Sequence, residues 1–192
     1  MKLLLLLCAF LALAPQRRNP VIAITTSLGE IEVELDAVNA PATTKNFLRY
    51  VEAERYEGGR FHRTVTMANQ PDKKIKIEVI QGGVNPKFAS ADFPPIKLER
   101  TSITGLRHKN GTISMARDGA DTATSDFFIC IGDQPQLDFG GKRNPDGQGF
   151  AAFGHVIRGM DIVRKIQHSP AKGQSLDPPI EIKSIRLLRS AR

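Results

Sequence analysis

From Glu30 to Leu35 apolar and acidic residues alternate without a break, with Ile31, Val33 and Leu35 interleaved among Glu30, Glu32 and Glu34. A period of two places one set on each face of a strand, so this segment is a strand of an antiparallel sheet with one face in water and one on a core. Residues 21–26 precede it across Ser27-Leu28-Gly29, which makes the pair a hairpin. Asn39 and Pro41 signal a helix start, and Phe47, Leu48 and Val51 recur at helical spacing before Gly58-Gly59. That spacing predicts one helix of about three turns. Short β-like runs follow at 61–65, 74–80, 96–99, 112–115, 127–131 and 150–153, separated by stretches rich in Gly, Pro, Asn and Asp. Met160, Ile162, Val163 and Ile166 predict a second amphipathic helix, closed by Ser169-Pro170, and residues 180–188 a last strand. Many short strands joined by turn chemistry imply a mainly β sandwich or barrel.

The N-terminus breaks this pattern. Residues 3–14 are 12 consecutive apolar residues behind Lys2, too short for a spanning helix of ~20 residues, and no polar face alternates with the leucines. They read as the core of a signal peptide. Ala12-Leu13-Ala14 is the small-x-small cleavage mark, although Pro15 directly after it fits poorly into the extended backbone a protease binds. The expected organisation is a signal peptide at 1–14, a linker at 15–20 and one domain at 21–190, as suits a chain of 192 residues. Export is expected, to a periplasm or the exterior, with no stable membrane span.

Composition removes several chemistries. Without Lys2, 26 basic residues face 20 acidic ones, a net of +6, and the cations are spread along the chain with acids between them. With two Tyr and no Trp there is little to stack on bases, so nucleic acid is not an expected partner. Cys8 and Cys130 do not make a disulfide framework, and Cys130 within Phe127-Phe128-Ile129-Cys130-Ile131 is a small buried hydrophobe. His62, His108, His155 and His168 lack metal-ligand spacing, so no metal is expected. A phosphate loop, a G-x-S-x-G elbow and a dinucleotide fingerprint are all missing, so no cofactor is expected, and residues 140–149 are a surface loop.

Three stretches stand out in order: Phe61-His62-Arg63, then Val79-Ile80-Gln81-Gly82-Gly83, then Ser114-Met115-Ala116-Arg117 running into Ser125-Asp126-Phe127-Phe128-Ile129. With Leu137-Asp138, Phe153-Gly154 and Gly159-Met160-Asp161-Ile162-Val163 behind them, they resemble the cyclophilin family of peptidyl-prolyl cis/trans isomerases over residues 22–187. The resemblance implies a closed eight-stranded antiparallel barrel capped by two α-helices, with a peptide groove on its outside. It implies Arg63 as the catalytic group and Phe128, Val79 and Leu137 as an apolar slot for the proline ring. Gln81, with the backbone around Ala116 and Arg117, would hold the peptide chain. The expected partners are proline-containing segments of unfolded or mature proteins, and the expected enzyme is a monomer.

Those residue types suit the reaction. Rotation about a peptide C–N bond meets a barrier of ~18–20 kcal/mol because resonance is lost, and X-Pro bonds populate both isomers. As the bond twists, the prolyl nitrogen gains a lone pair, so a fixed donor aimed at it binds the twisted state better than either planar one. Arginine stays charged at any ordinary pH and presents a planar fork of donors. Isomerisation transfers no proton, so His62 is a packed, hydrogen-bonded histidine.

The chain also departs from the family pattern. Glu78, Val79, Asp126 and Phe150 stand where Phe, Met, Gln and His are common, and Gln136 where Trp is often found. Asp126 is expected close enough to Arg63 either to orient it by a bidentate pair or to draw it from substrate. Phe150 would extend the apolar wall of the groove. Gln81 follows Arg63 by 18 positions, and the added residues 67–76, which include the turn Asn69-Gln70-Pro71-Asp72, predict an extended hairpin beside the groove. The rival to an exported isomerase is a peptide-binding or holdase module of the same fold with weak or absent catalysis.

Overall fold

The computed structural model describes residues 19–189, so the expected signal peptide and most of the linker lie outside the described residues. In chain order the elements are β1 (Val21–Thr26), β2 (Gly29–Leu35), α1 (Pro41–Glu52), β3 (Gly59–Val65), β4 (Val79–Gly83), the single turn α2 (Thr101–Thr104), β5 (Thr112–Met115), β6 (Phe127–Cys130), β7 (Ala152–Arg158), α3 (Met160–Gln167), β8 (Ala171–Lys172) and β9 (Ser175–Arg189). The sheet order is β1-β2-β7-β5-β6-β4-β3-β9, and β1 pairs back onto β9. All pairings are antiparallel. Eight strands therefore close into a barrel, with β8 outside it on the start of β9.

The interior is filled by alternate residues of those strands, among them Ile24, Ile31, Val33, Leu35, Phe61, Ile80, Ile113, Phe127 and Ile129. The helices cap it. From α1, Phe47 packs its ring 5.5 Å from Phe127 and 5.3 Å from Phe153, and from α3, Ile162, Val163 and Ile166 join the same core. The fold expected from the resemblance is thus the fold present.

Three segments differ from the sequence expectation. The strand expected at 74–80 begins only at Val79, and 67–76 is a tethered loop with no strand in it. Gln70 explains both: its buried side chain donates to the carbonyls of Thr66 and Ile77, at 2.7 and 2.8 Å, and so occupies backbone acceptors that a strand ladder needs. Residues 96–99 form only one bridge, Ile96 to Ala123. The strand expected at 150–153 starts at Ala152 and runs to Arg158, because the Phe150 N–H is taken by the Leu137 carbonyl at 2.9 Å.

Pleating generates a second, external cluster from the same strands. Val65, Val79, Phe128, Cys130, Leu137 and Ile77 pack together outside the barrel, with Ala116 and Phe150 against them. On β6 the neighbours Phe127 and Phe128 belong to different cores, as a period of two requires. On β3 the period is broken. Phe61 pairs with Gly82 and Arg63 with Gln81, so two residues of β3 face one step of β4 and His62 is the extra residue of a bulge. Unbroken alternation would send Arg63 inward with Phe61. The bulge turns it to the outer face.

Candidate functional site

A groove of about 770 Å³ lies over that outer face, lined by Arg63, Val79, Gln81, Ala116, Arg117, Asp126, Phe128, Leu137 and Phe150 among others. Every site residue inferred from the sequence therefore lines one depression. Its apolar floor is tight: Phe128 is 5 % exposed, Val79 3 % and Leu137 1 %. Phe150 meets Phe128 edge to face at 5.3 Å, and the buried His108 stacks on Phe128 at 5.9 Å. His108 is itself fixed, with Nδ1 2.8 Å from Asp138 Oδ1 and Nε2 3.0 Å from Ser114 Oγ. Burial favours the neutral form of Asp138, but hydrogen bonds from the His108 side chain and backbone, with the charges of His108 and Arg107, outweigh it and hold the carboxyl below the ordinary aspartate range.

Arg63 is held by neutral amides. Its Nε and Nη2 donate to Gln174 Oε1 at 3.0 and 2.7 Å, and its Nη1 donates to Gln81 Oε1 at 2.9 Å. Three of the five N–H bonds are used, leaving one on each Nη. The expected direct pair with Asp126 is not formed. Gln81 stands between them, accepting from Arg63 and donating from Nε2 to Asp126 Oδ2 at 3.0 Å. The cross-strand register explains this, since Arg63 faces Gln81 on β4 and Gln81 faces Phe128 on β6, one residue beyond Asp126. Burial lowers the Arg63 pKa from its ordinary value, yet an arginine remains charged at neutral pH.

Asp126 also faces His62 Nε2 at 3.4 Å, so the histidine displaced by the bulge contacts the carboxylate that steadies Gln81. Burial raises the Asp126 pKa above the ordinary value, opposed by the Gln81 hydrogen bond and the His62 charge and reinforced by Asp92 and Asp118. The carboxylate fits only because residue 83 is glycine: a Cβ at Gly83 would collide with Asp126 Oδ1.

Arg117 lines the groove, and its side chain has a structural task of its own. Its side chain is 1 % exposed, pairs bidentately with Asp146 at 2.7 and 3.0 Å, and donates to the Gly149 carbonyl. It staples the 138–150 loop. Only its backbone is left for a peptide.

Residues 21–187 match the family profile described as cyclophilin type peptidyl-prolyl cis-trans isomerase/CLD. The chain belongs to the cyclophilin-type peptidyl-prolyl isomerase family. It is 36 % identical to peptidyl-prolyl cis-trans isomerase A of Dickeya dadantii, covering 88 % of this chain and 84 % of the relative. It is 33 % identical to the isomerase of Acinetobacter baylyi over the same shares of each chain. Among solved structures, a cyclophilin of Cryptosporidium parvum crystallised with the dipeptide Ala-Pro superimposes with a TM-score of 0.71 at 23 % identity, covering 88 % of this chain and 99 % of the other, which supports the fold. The chain is thus a cyclophilin-type isomerase, and proline-containing peptides are its substrates.

Within this isomerase, sequence reasoning missed Gln174, which lies 111 positions from Arg63 in the turn between β8 and β9. No motif marks it. It also missed Arg143, whose Nη1 donates to Gln70 Oε1 at 2.9 Å and to the Ile75 carbonyl at 2.7 Å, tying the 67–76 loop to the 138–150 loop.

Proposed function

We propose that the chain is an exported isomerase that speeds X-Pro rotation in secreted or envelope proteins, with Arg63 as the group that stabilises the twisted bond. The observation that carries this reading is the setting of Arg63: a permanent cation fixed by two neutral amides beside an apolar slot floored by Phe128, Val79 and Leu137. In this reading the proline ring enters the slot, and the free N–H bonds on Nη1 and Nη2 face the prolyl nitrogen. Amide acceptors hold the guanidinium without cancelling its charge, so little ordering remains at the transition state. No covalent step and no proton transfer is required. Export is supported by Lys2 and the apolar run at 3–14, and no helix among the described residues is long and apolar enough to cross a membrane.

Two measurements test it. Isomerisation of a short X-Pro peptide by the purified domain, set beside Arg63→Ala, is expected to show a large loss with the fold retained. Full activity of Arg63→Ala, or an inactive parent of the kind the holdase reading implies, would remove Arg63 from the mechanism. Fractionation with N-terminal sequencing is expected to place the mature chain outside the cytosol. Recovery of the chain from cytosol with Met1 attached rejects export.

A further inference from the structure

We propose that this groove selects among proline segments by charge, favouring those that carry carboxylates on one side of the proline. The inference rests on the groove being the proline site and adds the substrate class. The selecting rim is built by the Arg143 bonds to Gln70 and Ile75, which bring Lys73 and Lys74 of one loop to the same groove as Lys142 and Arg143 of the other. Among the described residues no carboxylate pairs with these four cations: Asp146 is held by Arg117, and Asp72 does not line the groove. Arg63 lines the same groove as these four cations, and its charge, after burial, lowers the Arg143 pKa.

A second cluster in the same groove, unpaired with these cations, has the other sign. Asp92, Asp118 and Asp126 line the same groove, and both Asp92 and Asp118 raise the Asp126 pKa, so the three form one acidic pole. Asp92 is fixed there by the Thr124 hydroxyl at 2.9 Å and the Tyr50 hydroxyl at 3.2 Å. Arg60 and His62 share the adjoining depression with Asp92 and Asp126, which tempers that pole and leaves the cationic rim as the stronger selector. Arg63 lines the groove with both clusters and is linked through Gln81 to Asp126. A peptide in the groove thus meets two separate clusters of opposite charge, the four cations of the two loops and the three carboxylates. Unpaired cations beside a low-dielectric wall attract an acidic flank and raise its encounter rate, an effect that salt screens over a length of ~10 Å at 0.1 M.

Three peptides with one central Ala-Pro decide the matter: one neutral, one with two Glu before the Ala-Pro and one with two Glu after it. At an ionic strength near 0.01 M, one acidic order is expected to exceed the neutral peptide roughly three- to tenfold in kcat/KM, the other order to show little or no gain, and the difference to shrink at about 0.5 M salt. In the Lys73→Gln/Lys74→Gln/Lys142→Gln protein the ratio between the two acidic orders should fall toward one, and in Lys73→Glu/Lys142→Glu it should invert. Affinities of the same peptides, read from NMR shift changes, report the preference separately from turnover. An inactive parent that still binds one acidic order better overturns the isomerase reading and upholds this one. Turnover without preference does the reverse. Equal gain for both orders, or a ratio unchanged in the lysine variants, overturns the proposal.

Discussion

Phe127 and Phe128 are adjacent on one strand and belong to two different chemistries. Phe127 is fully buried in the barrel, ringed by Phe47, Tyr56 and Phe61 at centroid distances of 5.5 to 5.7 Å. Phe128 points the other way, keeps 5 % of its surface open and floors the groove. The inner face is apolar and closed, so its cost of change is paid in stability. On the outer face, apolar residues meet Arg63, Gln81 and Asp126, and change there should be felt mainly in chemistry. The same strands thus build a scaffold and a site, and the pleat with one bulge keeps them apart.

Breaking the inner face should give the largest effect. Phe127→Ala is expected to lose about 3–5 kcal/mol of stability, because its neighbours cannot collapse into the void. Phe128→Ala, at the edge of an open groove, should lose about 2 kcal/mol yet show the lower kcat/KM per folded molecule. Denaturant melts with peptide kinetics on both variants check this, and equal losses of both kinds would erase the distinction between the faces.

Next comes the guanidinium. Arg63→Ala should lower kcat/KM about a hundredfold, equivalent to roughly 3 kcal/mol at the transition state, with little change in Tm, and Arg63→Lys somewhat less. Thermal melts run beside peptide kinetics separate the two effects. A variant that unfolds would assign Arg63 to the scaffold.

A smaller loss is expected at Gln174, which only aims Arg63. Gln174→Ala should reduce kcat about tenfold and leave KM nearly unchanged, and Gln174→Glu, which keeps the acceptor in place but sets a charge against Arg63, should restore only part of the loss. A Gln174→Ala protein with parental kcat would show that Gln81 suffices.

The smallest change in rate belongs to Asp126, and it is best seen against pH. Asn at 126 still offers an oxygen to Gln81 Nε2, so Asp126→Asn should keep activity within about twofold of the parent at neutral pH. Because the Asp126 pKa is raised, the parent should lose its carboxylate charge as pH falls through a range above that of an ordinary aspartate. The protonated carboxyl still offers an oxygen to Gln81, so its activity should fall there by no more than about twofold and converge on the flat Asp126→Asn profile. Stability should move the opposite way. A carboxyl whose pKa is raised on folding binds its proton better in the native state, so its contribution is present in acid and is lost as pH rises through the folded pKa. Parallel pH profiles for parent and Asp126→Asn would detach Asp126 from Arg63.

The sequence carried the barrel far. Alternation at 30–35 and the helix signals at Pro41 and Met160 were legible because each is a local pattern whose period or turn residues dictate its backbone, whereas the ordered stretches around Arg63, Gln81 and Phe128 were legible through their resemblance to a known family. That resemblance named the residues lining the groove. What they could not show was contact. The sequence predicts Asp126 beside Arg63, yet register puts Gln81 between them. Gln174 reaches Arg63 only because β9 lies beside β3 in the closed barrel. The 67–76 segment had the turn chemistry of a hairpin, but the buried amide of Gln70 and its bond to Arg143 fold it down as one rim of the groove. Local periodicity is set by sterics within a few residues, so the chain states it directly. The partners of an amide or a guanidinium depend on which strands close against each other, and that is decided only when the whole barrel forms.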